Sequence, residues 1–325
     1  MKRFLFLGIA ATAMLASCTN DEMVEMNPQS AIGFETFVDK STRAAADVTT
    51  DNLTAFWVYG WRTKETTTEQ IFKAQAVTAN NGTCTYSPLQ YWVGGYNYTF
   101  EAIAPQSDNN SVTFNAANGA STITFVSDSE TDLIYATGSK DLTSTTNLTE
   151  TPEAVGLVFN HLLSRVKFSF VNGFPANSDV KLTVTDVKIN DAGTTAICTP
   201  STKTWAAATA FSVVNFASDE VANIAGTKSA ETEHKYLIPA DIKNYTVYFT
   251  VKMTQGGVSD TFNHTVTLST DELVLDAGKS YNLTATLNSE NINPDGDLFP
   301  IGFKATVTPW EDFTEVTIPK KHSFE

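Results

Sequence analysis

From residue 32 to its end, the chain is built of short stretches in which apolar and polar side chains alternate, divided by clusters of Asn, Gly, Pro and Asp. A period of two places successive side chains on opposite faces of a strand, and no segment keeps the 3.6-residue period of an amphipathic helix. Val, Thr, Phe and Tyr fill these stretches, side chains that fit a pleated, half-buried surface. Ile32, Phe34, Thr36 and Val38, alternating with Gly33, Glu35 and Phe37, form a first short strand. Further strands are expected over Ala55–Trp61, Gln70–Val77, Thr83–Tyr86, Tyr96–Ala104, Ser111–Phe114 and Thr122–Val126. Turn clusters such as Ala79-Asn80-Asn81-Gly82 and Pro105-Gln106-Ser107-Asp108 separate them. This spacing favours a β-sandwich.

Around Val155–Phe170 the pattern condenses. The first half is read as containing a helical turn and the second half as strand. The same style then resumes with strands over Val180–Ile189, Lys235–Ile238, Tyr245–Met253, Asp260–Leu268, Ser280–Leu287 and Gly302–Thr308, with Gln255-Gly256-Gly257 turning one hairpin. A last strand runs from Phe313 to Ile318. A chain of 325 residues is long enough for two cores. The expected organisation is therefore all-β, with two tandem β-sandwich domains over residues 32–164 and 165–325.

Ahead of the first domain, residues 1–17 read as an export signal and 18–31 as a polar tether. Lys2 and Arg3 precede an apolar run from Phe4 to Leu15, too short to span a bilayer as a stable helix. The run ends in Leu15-Ala16-Ser17-Cys18, which resembles the lipobox of bacterial lipoproteins and makes Cys18 the lipidated residue. An ordinary signal peptide containing a cysteine is the alternative. Acidic Asp21 and Glu22 just after Cys18 resemble the signal that sends lipoproteins of Bacteroidetes-type bacteria to the cell surface. The membrane partner is then the outer membrane, reached through acyl chains.

The formal net charge of −15 argues against nucleic acid or anionic lipid as a partner, since both are held by basic patches. With Cys18 acylated, Cys84 and Cys198 remain. Two small buried residues are the preferred reading over a disulfide.

Several segments, in order, resemble the fimbrillin family, the subunits of Bacteroidia type V pili. They are Tyr91-Trp92 with Tyr98-Thr99-Phe100-Glu101-Ala102-Ile103-Ala104-Pro105; Asp132-Leu133-Ile134-Tyr135-Ala136; and Phe159-Asn160-His161-Leu162-Leu163-Ser164-Arg165-Val166. Leu237-Ile238-Pro239, Ala277-Gly278-Lys279-Ser280-Tyr281 and Val307-Thr308-Pro309-Trp310 complete the set. The resemblance implies transthyretin-like sandwiches and a place in a cell-surface fimbrium. It also implies a maturation step, in which a protease cuts after an arginine near the N-terminus and releases the lipid together with the first strand. A neighbouring subunit then fills the vacated groove by strand addition. Here the removable strand is Ile32, Phe34, Thr36 and Val38. Arg43 is the scissile residue, because Arg3 leaves with the signal while Arg62 and Arg165 abut strands. An ordinary linker charge is the alternative for Arg43. The candidate donor is the C-terminal segment, with Thr314, Val316 and Ile318 on one face. If it is merely a final strand, the chain is a tip or accessory subunit, an adhesin or a carbohydrate-binding lipoprotein with a host or bacterial surface ligand.

No catalytic role emerges from the sequence. His161, His234, His264 and His322 are scattered without metal-ligand spacing, and no nucleophile elbow or phosphate loop is present. Asn291, Asn293, Asp295, Gly296 and Asp297 resemble the start of a calcium loop, but Gly302 stands where its bidentate Glu belongs. A polar inter-strand loop is preferred, and neither metal nor cofactor is expected. His161 is read as a structural histidine, and Trp92, Phe100, Tyr281 and Trp310 as packing residues. Trp57, Trp61 and Trp205 are the aromatic side chains with which a carbohydrate-binding member would stack sugar rings.

Overall fold

The computed structural model describes residues 30–38, 48–106, 111–145, 147–148, 150–217, 223–225, 229–239, 245–268, 273–293 and 301–310. Every regular element among them is a β-strand. The chain begins with β1 (Phe34–Val38), β2 (Ala55–Lys64), β3 (Thr67–Asn80), β4 (Thr83–Tyr86) and β5 (Asn97–Ala104). Next come β6 (Val112–Asn115), β7 (Thr122–Val126), β8 (Ile134–Asp141) and β9 (Val155–His161). Seven of these are hydrogen-bonded round into a closed path, β1-β4-β3-β2-β5-β8-β9, with β9 returning to β1. Closure removes the exposed edges that an open sheet presents.

Two segments differ from their reading in the sequence. Val155–His161 is a strand with no helical turn: Val155, Leu157, Phe159 and His161 point inward while Gly156 and Val158 face out. Pairing with β1 on one side and β8 on the other holds this period of two. The β6–β7 hairpin, flanked in sequence by barrel strands, leaves the barrel and pairs instead with β11 (Lys181–Thr199), setting Ile197 against Thr124 and Cys198 against Ile123.

The second unit has two sheets. One carries β10 (Ser164–Asn172) at its centre, flanked by β15 (Ser229–Glu231) and β16 (Lys235–Leu237) on one side and by β19 (Lys279–Leu287), then β20 (Phe303–Pro309), on the other. The second sheet is built on β11, which pairs with β12 (Thr204–Trp205), β13 (Ala210–Ala217), β14 (Asn223–Ala225) and β17 (Tyr245–Gln255). β17 in turn pairs with β18 (Val258–Leu268). Gly256 and Gly257, at φ of 56° and 83°, turn the β17–β18 hairpin, where two positive φ values match the twist of the flanking strands.

Three cores result. Phe56, Val58, Phe72, Phe100, Leu157 and Phe159 fill the barrel. Phe168, Phe170, Val184, Phe249, Leu283 and Phe303 fill the space between the two sheets. A third cluster joins side chains from the outer face of the barrel (Tyr59, Trp61, Tyr135) to Ile123, Phe125, Cys198, Trp205, Tyr236 and Trp310. Trp61 and Trp205 are therefore packing residues, and the Trp205 indole N–H donates to the Leu162 carbonyl at 2.8 Å. Cys84 and Cys198 are free thiols, half-buried and buried.

His264, on β18, stacks on Phe249 at 5.0 Å, and its burial outweighs a backbone contact with Ile292 to lower its pKa below 6.5. The unfolded chain therefore takes up this proton first. The stabilisation is complete above about pH 6.5 and is lost as pH falls through the lower folded value. Urea midpoints should fall between about pH 7 and pH 5, and His264→Gln should flatten that slope.

Candidate functional site

Within the barrel, the strand that closes it is held unevenly on its two flanks. On one flank β1 pairs with β9 in parallel along its whole length, from Phe34↔Val155 to Val38↔Phe159. On the other it meets β4 at a single register pair, Glu35↔Thr83. The turn at Asn81-Gly82 offers the Gly82 carbonyl to the Thr36 N–H at 3.0 Å, with both residues at positive φ. Just before β1, Ala31 bridges to Tyr91, the Ile32 N–H donates to the Gln90 carbonyl at 2.8 Å, and the Trp92 N–H donates to Ser30 at 3.0 Å. At its far end, the Val38 N–H donates to Thr50 Oγ1 at 2.9 Å.

The inward side chains Ile32, Phe34, Thr36 and Val38 are all buried. Phe34 sits in an aromatic box, with ring centroids 5.6 Å from Phe72, 5.8 Å from Tyr86 and 5.3 Å from Phe100. The box depends on Gly60, since a Cβ there would come within 2.8 Å of Phe100 and 2.9 Å of Phe72. Tyr86 adds a hydrogen bond from its hydroxyl to the Ile32 carbonyl at 2.8 Å. Cys84 lies along the same inner wall, where burial pushes its thiol up to about 11. Phe37 points outward, half-exposed, beside the equally exposed Val158.

The four inward residues of the expected removable strand are thus brought together on one groove. Cys18, Arg43, Thr314, Val316 and Ile318 lie outside the described residues, as does most of the Asn291–Asp297 loop. Of the other arginines, Arg62 lies within β2, hydrogen-bonded to Glu69 at 2.7 Å, and Arg165 within β10 is buried. Among the described residues, no group of three or more His, Cys, Asp and Glu side chains is placed to hold a metal ion.

A family model described as fimbrillin-like matches residues 42–310, well over half of the sequence. The chain belongs to the fimbrillin-like family. It is similar to the fimbrium subunit Fim1C of Phocaeicola vulgatus, at 25% identity over 358 aligned positions that cover 92% of this chain and 90% of that one. Among solved structures, a candidate cell adhesion protein from Bacteroides ovatus superposes with a TM-score of 0.50 and 11% identity, covering 87% of this chain and 98% of its own. The fimbrial anchor protein Mfa2 of Porphyromonas gingivalis gives 0.39 and 11%, covering 86% and 98%. At these identities the structural likeness concerns the all-β fold.

In this fimbrillin-like chain the sequence landmarks gather at two places. Tyr91-Trp92 clasps the start of β1 and drives Trp92 edge-on against Tyr98, 4.7 Å away. The others meet where β9 hands over to β10. There His161 hydrogen-bonds through Nδ1 to Asp132 Oδ2 at 2.7 Å, both side chains being almost fully buried. Trp310 stacks on His161 at 4.4 Å and 9°, and on Tyr236 at 5.5 Å and 7°. The Arg165 guanidinium lies 5.3 Å over the Trp310 ring while its Nε donates to Ser280 Oγ at 3.0 Å. Gly278, at φ of 70°, accepts the Trp310 N–H and donates its own N–H to Leu163. Residue spacing along the chain carried no signal that Asp132, His161, Arg165 and Trp310 would share one buried site, since they come from three segments far apart in the sequence.

A buried carboxyl missed in the sequence ties the β6–β7 hairpin to the barrel. Glu101 accepts hydrogen bonds from Gly119 N at 3.1 Å, Ser121 Oγ at 2.5 Å and Tyr135 Oη at 3.0 Å. Burial, then the Glu101 charge, raises the Tyr135 pKa, so the phenol remains the donor. Glu101→Gln puts an NH2 against groups that are already donors. It should lower unfolding free energy by about 1–3 kcal/mol, read from urea denaturation.

Proposed function

We propose that the chain is a structural subunit of a cell-surface fimbrium. On this reading it is exported as an outer-membrane lipoprotein acylated at Cys18, cut after Arg43, and polymerised by replacement of its first strand with one from a neighbouring subunit. Its work is mechanical rather than catalytic. The observation that carries the reading is the seam of β1. A short strand closes the barrel with three buried side chains, a fourth from Ile32 just ahead of it, yet shares only one register pair with β4. Removing it would leave β4 and β9 with unpaired backbone groups and an apolar groove, the arrangement that recruits a strand in trans. Similarity to Fim1C, a named fimbrium subunit, supports the assignment to a fimbrium. The segment proposed as donor, with Thr314, Val316 and Ile318 on one face, follows directly from Trp310, which is fixed at the junction between the two units.

Low-dose treatment of the purified lipoprotein with an Arg-specific protease is expected to cut once, after Arg43, and to give oligomers whose size grows with concentration. Arg62 in a strand and Arg165 in the interior are poor substrates by comparison. Arg43→Ala should stay folded and monomeric. A clean cut with no assembly, even with a peptide of the C-terminal segment added, would exclude strand exchange.

A further inference from the structure

The geometry points to Thr36 as the position that keeps the first strand exchangeable: a polar side chain set where the described groove offers it nothing stronger than a thiol, so that an occupant with an aliphatic residue at this register binds better. This deepens the strand-exchange reading and rests on it for the identity of the incoming segment.

Thr36 is fully buried, yet its Oγ1 has no hydrogen-bond partner among the described residues. Its neighbours on the same face, Phe34 and Val38, are apolar and well packed. The polar atom beside it is the Cys84 sulfur, whose own S–H turns to the Gly82 carbonyl at 3.7 Å and which offers the Thr36 hydroxyl only a weak acceptor outside good hydrogen-bond geometry. A buried hydroxyl that has exchanged water for no more than a weak sulfur acceptor is a net penalty on the strand that carries it.

The other unit of the same molecule supplies the contrast. β10 opens that unit as β1 opens the barrel, and each lies parallel to a strand from later in its own unit, β19 and β9. β10 also buries polar side chains, but they are partnered. Ser164 Oγ donates to the Asp276 carbonyl at 2.8 Å and Ser169 Oγ to Asn282 Oδ1 at 2.6 Å. Asn172 Nδ2 is shared between the carbonyls of Val180 and Ile224 at 3.0 and 3.1 Å. The permanent strand has its buried polar groups satisfied; the strand proposed to leave has one that is not.

The test begins on the intact chain, without any cleavage. Cys84 lies on β4 next to β1, with its half-buried side chain packed against the barrel core, so opening of β1 uncovers it and speeds its alkylation by iodoacetamide. Thr36→Val is expected to slow that labelling roughly tenfold, with slower hydrogen exchange at the Ile32 and Val155 amides, which are bonded to Gln90 and Gly33. Thr36→Ser, which keeps the hydroxyl, should label at least as fast as the parent. Labelling of a folded Thr36→Val chain at the parent rate or faster overturns the inference. A second arm does not depend on the variant folding. Peptides spanning Ile32–Val38 with Thr or Val at position 36 compete for protein cut after Arg43 and freed of its own strand. Roughly tenfold tighter binding of the Val peptide is expected. Equal affinities overturn the inference, while binding of neither peptide overturns strand exchange and leaves the labelling arm to decide Thr36.

Discussion

Replacing Phe34 with alanine is expected to destabilise the protein by about 3–5 kcal/mol, the cost of emptying a fully packed aromatic site that the surroundings only partly refill. Phe34 is 3% exposed and meets Phe72, Tyr86 and Phe100 edge-on or tilted, the geometries in which ring quadrupoles attract. Relaxation is restricted because Gly60 already lets Phe72 and Phe100 crowd the β2 backbone, and neither ring can move further that way. The loss falls on the strand that closes the barrel, so it should also accelerate alkylation of Cys84 in the folded protein. Phe37→Ala is the matched control. It removes the same atoms from the outer face of the same strand, where the ring is 51% exposed, and should change stability by no more than about 0.5 kcal/mol. Urea denaturation of the two variants side by side separates burial from any general effect of shortening β1. Similar losses in both would mean that β1 is held by its backbone alone.

Trp310→Ala should produce a loss of comparable size, about 3–5 kcal/mol, at the other end of β9. The indole stacks on His161 and on Tyr236, and the Arg165 guanidinium lies 5.3 Å from its ring centroid. Its removal takes away two stacking contacts and the π-face over a buried cation, interactions that gain strength away from water. Trp310→Phe should recover roughly half of the difference, since a smaller ring keeps one face on His161 but covers less of Arg165. A loss under about 1 kcal/mol for the alanine variant would mean that the stack is incidental to folding. Because Trp310 lies just ahead of the segment proposed as donor, the same variant should slow the assembly proposed to follow cleavage at Arg43 more than its stability loss alone would predict.

The first strand was legible because its alternation is local: Ile32, Phe34, Thr36 and Val38 need only a pleated backbone and one buried face to be read correctly. Trp92, Phe100 and Trp310 were legible as packing residues for a similar reason, since large aromatic side chains bury wherever the chain permits. What could not be read was pairing across long separations. Val155–His161 carries Gly156, Asn160 and an apolar pair around Val158, a pattern that fits helix or strand over so short a run. Only its two strand neighbours decide the matter. The β6–β7 hairpin alternates like its barrel neighbours, and nothing in its residues says that its partner is β11.

Sequence by itself determined that this chain is all-β and of the fimbrillin-like family, and which face of its first strand is buried. Those properties follow from side-chain period, from turn residues and from motifs kept in order. Tertiary structure alone decided that the strand closes a barrel, that its hold on β4 is a single register pair, and that Thr36 finds nothing better than a thiol among the described residues while the buried polar groups of β10 have their partners. Each of these depends on which distant backbone arrives alongside, and a hydrogen bond is present or missing only once both of its ends are in place.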